Sequence, residues 1–339
     1  MHFALSEDQL LLQRTVDEVG TQLFSGASTE DLCAGSGTLR ATAWNTLVEL
    51  DLVGLLVPEA HGGAGGSVIN ACLVAEVLGR HIAPVPYVGT AVAAASLLRF
   101  AGGAAEDLAR LCAGEFYSVL LGSKLEEPEE MATIAFDWCA GARGVVLSPG
   151  GVVAVHELAE AVPFDDVDPS HPLSRVPQTP AAVAVGDGAR RARAAAWVGA
   201  AAFLTGLADG ALRQAVDYAR QREQYGCPIG SFQAIQHLCA EMLFRVESAR
   251  SITYGASWAV DHASRDEMER LAAAAKFCAG SAAVEVCETA IQVLGGIGLT
   301  QEHNAHLRLR SAHLFNAAFG SSDAPLLLLA DRALAGETV

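Results

Sequence analysis

The chain has 339 residues, with 22 Lys plus Arg against 39 Asp plus Glu and a formal charge of −17. Hydrophobic residues make up 51% and charged residues 18%, so the chain can bury a large core and is no disordered polymer. The acidic balance excludes a protein that binds nucleic acid by neutralising phosphates.

The first residues, MHFALSEDQL, lack a basic region and reach acids by Glu7, so we expect no signal peptide and a cytoplasmic protein. Ser6 is placed to cap a helix whose first turn holds Glu7 and Asp8, followed by an apolar stripe of Leu10, Leu11, Val16 and Val19. Gly62–Gly66 predicts a loop rather than a phosphate-binding turn, because it is no GxGxxG and Pro58 separates it from any strand. Val68–Leu78 predicts a helix ending at Gly79, and an Ala-rich helix is expected near Thr90–Phe100. The longest stretch free of charge and His, Ile82–Leu98, carries Pro84 and Pro86 and falls short of the ~20 apolar residues of a bilayer span, so no membrane segment is expected.

The middle of the chain changes character. Short β-branched runs at Tyr117–Leu121, Gly144–Leu147 and Gly151–Val155 are separated by Gly and Pro, with Asp165, Asp166 and Asp168 following. Helical patterning then returns: Ala194–Ala208 is uncharged and suits an interior helix. Ile235, Leu238, Cys239, Met242, Val246 and Ala249 form a helical stripe, and Leu271–Val293 is a long helix stopped by Gly295 and Gly296. The expected fold is mainly α with a small β domain: a helical domain over 1–113, a reduced β domain over 114–187, and a bundle of four long helices over 188–339. The eight cysteines lie scattered, without CxxC or zinc-like spacing, and predict reduced, mostly buried thiols. Glu302, His303 and His306 lack a spaced third metal ligand and read as polar helix-start residues, so no metal is expected.

Two stretches carry chemistry. One runs Arg222-Glu-Gln-Tyr-Gly-Cys-Pro-Ile-Gly-Ser-Phe-Gln-Ala-Ile-Gln-His237, the other Ala290-Ile-Gln-Val-Leu-Gly-Gly-Ile-Gly-Leu-Thr-Gln-Glu302. With Leu56-Val-Pro-Glu59, Gly62-Gly63 and Ala75-Glu76-Val-Leu-Gly-Arg80 upstream, they resemble the acyl-CoA dehydrogenase family over nearly the whole chain. The resemblance implies that family's fold, FAD as cofactor, an acyl-CoA substrate, an electron-transfer acceptor and α,β-desaturation of a CoA thioester in β-oxidation. It makes Arg222 the cation on the FAD diphosphate, with Gln224 beside it, and Tyr225 the replacement for the usual Phe beside the cofactor. Gln233 then faces the diphosphate and ribose, and Gln292 to Gly295 and Gly296 form the turn against the adenosine half. In the family these groups serve an FAD held mainly by a neighbouring subunit.

The departures from the family matter equally. Counting forward from Gln292 sets Phe319 in the slot of the usual catalytic Glu, and Phe cannot accept a proton. The alternative base slot, counted back from Gly206-Leu-Ala208, holds Ala196, followed by Trp197. The segment Tyr117–Glu130 does not reproduce the Thr-Glu-Pro-x-x-Gly-Ser-Asp pattern that cradles a subunit's own flavin. This resembles the shorter, base-lacking subunit of actinobacterial α2β2 steroid-CoA dehydrogenases, implying a catalytic partner subunit. Two alternatives stay open: a homo-oligomeric enzyme using a displaced acid such as Asp323, and a flavin-less scaffolding paralogue.

Overall fold

The computed structural model describes residues 4–33, 37–100, 102, 104–122, 133–139, 141–147, 155–158, 161–163, 167–176, 187–320 and 323–334. The N-terminal helices are α1 (Glu7–Phe24), α2 (Thr29–Cys33), α3 (Thr38–Glu49), α4 (Val68–Arg80), α5 (Ala95–Phe100) and α6 (Ala105–Cys112). Ser6 caps α1 as expected and closes a full capping box with Gln9. The Ala-rich segment departs from its expected form. It begins at Tyr87 as a π-helical stretch to Ala94, buried at every residue, before α5 continues it.

The sheet follows: β1 (Tyr117–Gly122), β2 (Thr133–Phe136), β3 (Arg143–Leu147), β4 (Val155–Glu157), β5 (Val162–Pro163) and β6 (Leu173–Val176), in the order β4-β3-β1-β2-β6-β5. β1 runs parallel to β3, and the other neighbours are antiparallel. Tyr117, Val119, Phe136 and Val145 face the main core, while Leu120, Ala135 and Leu158 form a small cluster on the other side. Of the expected run Gly151–Val155, only Val155 lies among the described residues, and it opens β4; Asp165 and Asp166 lie outside them.

Three long helices then stack antiparallel: α7 (Asp187–Gln221), α8 (Gln233–His262) and α9 (Arg265–Leu294), with a hairpin of β7 (Glu223–Gln224) and β8 (Cys227–Pro228) joining the first two. The fourth bundle position belongs to the shorter α10 (Ala305–Ala317), so the long helices number three rather than four, and α11 (Asp323–Leu334) covers α9. The helix expected from Leu271 starts six residues earlier, where Ser264 caps the polar first turn with Asp266 and Glu267. Two helices meet the length and composition of a membrane span, but the apolar window of α7 is wholly buried in the bundle, as in a core helix. All eight cysteines are free thiols, yet only Cys72 and Cys287 are fully buried, against the expectation of mostly buried ones. Burial pushes both of these up to about 12.

The helical layers meet at close quarters. A Cβ on Gly206 of α7 would lie 1.9 Å from the Glu76 carbonyl of α4, so this crossing admits no side chain. Glu76 and Arg80, part of the family-like motif, hold ions here rather than ligands. Glu76 accepts Arg250 Nε at 2.8 Å and Tyr254 Oη at 2.7 Å; Arg80 reaches Asp209 at 2.6 Å and Asp17 at 3.0 Å. Against the penalty of burial, Arg80, Arg250 and Arg213 hold the Asp209 carboxyl below its usual range. These groups line a groove of about 830 Å³ between α1, α4, α7 and α8, whose floor charges are paired with one another.

Lys276 of α9 is wholly buried, and its Nζ donates to the Asn316 carbonyl in the last turn of α10 at 2.8 Å. Burial pushes its ammonium down from 10.5 to about 7. Between those two values the unfolded chain keeps a proton that the folded chain has lost. Stability therefore rises with pH from about 7 toward 10, by up to ~1.4 kcal/mol per pH unit, and this contribution is flat below 7. Between pH 7 and pH 9 the denaturant midpoint of the wild type should rise relative to that of Lys276→Met, in which the other titrating groups are unchanged. Parallel pH curves for the two proteins would contradict the assignment.

Candidate cofactor site

The antiparallel stacking decides where the two motifs meet. The C-terminus of α7, the N-terminus of α8 and the C-terminus of α9 all lie at one end of the bundle. Arg245 of α8 pairs with Glu285 of α9 at 2.6 Å and fixes the register. From there, about 18 Å of α8 leads to Gln233 and about 10 Å of α9 leads to Gln292, in the same direction. The fold thus gathers Arg222, Gln224, Tyr225, Gln233, Gln292, Gly295 and Gly296 at that end, all of them exposed.

Local chemistry shapes each piece. Tyr225 and Gly226 both have positive φ, at 53° and 80°, as a type I′ turn requires for a two-residue hairpin. The Tyr225 ring stands 94% exposed and meets Phe232 edge-on, with centroids 6.2 Å apart. Gly295 ends α9 at φ 64° and ψ −140°, a combination closed to residues with a Cβ. Nothing lies within 4 Å of where a Cβ would stand on Gly295 or Gly296, so the backbone there is bare to an approaching group. The side chains of Arg222, Gln224, Gln233 and Gln292 make no hydrogen bond or ion pair among the described residues. A forked cation, three amide side chains and an open glycine turn suit a dinucleotide diphosphate arriving from outside the chain. Phe244, Leu299 and Ile297 add exposed apolar area on α8 and beside the turn.

The two base slots lie elsewhere, and together. Ala196 is buried on α7, and its neighbour Trp197 donates Nε1 to the Phe319 carbonyl at 2.7 Å. No carboxylate occupies either slot. Asp323 sits exposed in the first turn of α11, the ordinary place for an acid at a helix N-terminus. Gly122-Ser123 is present in the chain, but it precedes Glu127-Pro128 where the family pattern has it following, and residues 123–132 lie outside the described ones. His303 and His306 spend their Nδ1 atoms on the backbone at Ala305 and His303, and no group of three metal-ligating side chains occurs among the described residues.

An N-terminal helical layer packed on a long-helix bundle, with a small sheet beside them and a glycine turn and an Arg hairpin at the bundle end, is the layout of a flavoprotein dehydrogenase of the acyl-CoA class. Family models agree: the acyl-CoA dehydrogenase N-terminal domain matches residues 6–115 and the C-terminal domain residues 189–334. The chain belongs to the acyl-CoA dehydrogenase family, whose cofactor is FAD and whose dehydrogenases are oxidoreductases acting on CH–CH bonds. It is 37% identical over 321 residues to acyl-CoA dehydrogenase FadE34 of Mycobacterium tuberculosis, covering 87% of this chain but only 43% of that protein. It is 30% identical to acyl-CoA dehydrogenase IpdE2 of Mycolicibacterium smegmatis, covering 91% and 93%. Among solved structures, the ChsE4–ChsE5 complex of Mycobacterium tuberculosis matches with a TM-score of 0.83 at 22% identity over 100% of both chains. The Tcur3481–Tcur3483 steroid acyl-CoA dehydrogenase variant matches with a TM-score of 0.82 at 24% identity over 97% and 98%.

The glycine turn carries its own prediction. Gly295→Ala should lower the unfolding free energy by about 1–3 kcal/mol, because φ 64° with ψ −140° strains any Cβ. Gly296→Ala, which faces the same open space at an ordinary φ, should stay within ~0.5 kcal/mol. Urea denaturation of both variants checks this, and equal losses would contradict the conformational argument.

Proposed function

We propose that this chain is the non-catalytic subunit of an FAD-dependent acyl-CoA dehydrogenase, and that its bundle end completes the cofactor site of a catalytic partner subunit. The observation that carries this reading is a distance. Ala196 and Arg222 belong to one continuous helix and its immediate exit, and 26 positions at ~1.5 Å each set them about 39 Å apart. A base slot and a diphosphate clamp so separated cannot serve the same cofactor, so Arg222 serves one held by a neighbour.

Bound there, FAD would supply the hydride acceptor for α,β-desaturation, and a Glu of the partner would supply the base for the α-proton. This chain's part is binding. Arg222 offers its guanidinium fork to the diphosphate, with Gln224 beside it. Gln233 and Gln292 donate amide hydrogens along the ribose and adenine side, and Gly295 and Gly296 let the main chain come close. The exposed rings of Tyr225, Phe232 and Phe244 and the side chains of Ile297 and Leu299 give the surrounding contact an apolar centre. Comparisons support a two-subunit arrangement. The match spans 43% of FadE34, leaving room there for a second unit of equal size, and the ChsE4–ChsE5 structure is a complex of two named proteins. The reading extends to an α2β2 assembly acting on the CoA thioester of a steroid side chain, with a separate electron-transfer acceptor; that one of the two-protein neighbours is a steroid acyl-CoA dehydrogenase supports it.

Two outcomes are expected. The chain purified alone should reduce no acceptor dye with any acyl-CoA, whereas co-expression with a Glu-bearing partner should give turnover and one FAD per heterodimer. In that assembly Arg222→Ala should weaken flavin retention by about 2–4 kcal/mol, roughly 30- to 700-fold in Kd, and Arg222→Lys should rescue it only in part. Unchanged flavin content in the Ala variant would make Arg222 an ordinary surface residue, and turnover by the isolated chain would restore a displaced base.

A further inference from the structure

The junction between the sheet and the bundle, where the two base slots meet, holds a continuous stack of aromatic side chains. Phe319 follows α10 with φ 60°, a left-handed backbone that turns its bulky ring inward to 7% exposure. Its ring lies 5.3 Å from Phe136 of β2, and Phe136 meets Phe315 of α10 edge-on at 5.2 Å. Phe315 stacks on Phe203 of α7 at 4.2 Å. His171, just ahead of β6, closes the group at 4.8 Å from Phe315 and 5.4 Å from Phe203. Phe136, Phe203, Phe315 and His171 are each exposed by 1% or less.

Elements from the sheet and from α7 and α10 of the bundle therefore share one ring cluster. His171 is tied from behind, its Nδ1 on the Asp137 carboxylate at 2.7 Å, with Arg40 3.8 Å from the same oxygen. Trp197 locks the turn from the α7 side through the Phe319 carbonyl, and the Arg193 guanidinium covers the Trp197 ring at 5.0 Å. A thioester carbonyl or a flavin edge set here would lose water and meet mostly ring carbons, with His171 Nε2 the one ring nitrogen of the cluster left without a hydrogen-bond partner among the described residues.

We propose that this chain's own acyl-CoA cavity is closed by an aromatic plug, with Phe319 seated in the base slot, and that the plug holds sheet and bundle together where other family members place cofactor and substrate. The inference rests on the reading of Phe319 and Ala196 as the base slots. It goes further than the loss of a base: restoring a Glu would not restore a site, because the space is occupied. It also means that the chain reaches its folded state without flavin.

Thermal unfolding and binding of the isolated full chain test the plug. Phe319→Ala should lower the midpoint by about 5–15 °C, and millimolar indole, filling the hole, should recover several degrees in the variant while leaving the wild type unmoved. Phe319→Leu, which keeps most of the volume, should lose less than half as much and serves if the Ala variant does not fold. The wild-type chain should show no saturable binding of FAD or of a non-hydrolysable acyl-CoA thioether. Binding of one thioether per wild-type chain, or an Ala variant as stable as the wild type, would overturn the plug. Counting both ligands in the co-expressed complex separates the two claims. Two thioethers but one FAD per heterodimer sinks the plug and leaves the division of labour standing, whereas two FAD per heterodimer sinks the division of labour.

Discussion

The structure depends on one constraint: α7 is apolar on nearly every face for two-thirds of its 35 residues and has to be covered from all sides. The N-terminal layer supplies one cover through α4, the π-helical stretch and α5, while α8, α9 and α10 supply the rest. Gly206 and Gly79 let α7 and α4 touch backbone to backbone, so the N-terminal layer docks on the bundle at a fixed angle. Ion pairs among Glu76, Arg80, Asp209 and Arg250 surround that crossing and reward only this register. From this core helix everything else is measured out: its first half faces the sheet and the ring cluster, and its exit delivers Arg222 to the far end.

That separation is the basis of the proposed division of labour between this chain and a catalytic partner. The proposed cofactor contacts need only the bundle, whose core is kept intact by burial, and the half-exposed Arg245–Glu285 pair marks its register. The two base slots lie at the junction with the sheet, and there the side chains are aromatic. In the proposed plug, the absence of a base and the filling of the space come together at Phe319, since one ring does both. The strong net negative charge fits the same division. A surface of this sign does little to draw in CoA phosphates, which the proposed partner would have to attract.

How much of this could be read beforehand follows from periodicity. The bundle helices carry stripes such as Met242, Val246 and Ala249, and their existence is plain in the sequence. Their limits are less so: α9 begins with Arg265, Asp266 and Glu267, whose polarity hides a helical start that only the Ser264 cap reveals. The π-helical stretch at Tyr87–Ala94 escapes because a run buried on all sides has no polar face to set a period. Strands β2 and β6 are four residues each, too short for alternation to register. The bundle-end residues were legible because their spacing within two motifs is specific, and the antiparallel helices then bring the motifs together. The ring cluster was not. Phe136, His171, Phe203 and Phe315 are far apart in the chain, and each alone reads as ordinary core; only the empty base slot at Phe319 hinted at that place.

The most direct measurement is amide hydrogen exchange on this chain within the assembled complex, with the flavin bound and after its removal. The account predicts flavin-dependent protection at the hairpin turn around Gln224–Gly226 and at the glycine turn of Gly295–Gly298, and none at the amides of Phe319 and its neighbours. Flavin-dependent protection around Phe319 and Ala196, with the bundle-end turns unmoved, would contradict it.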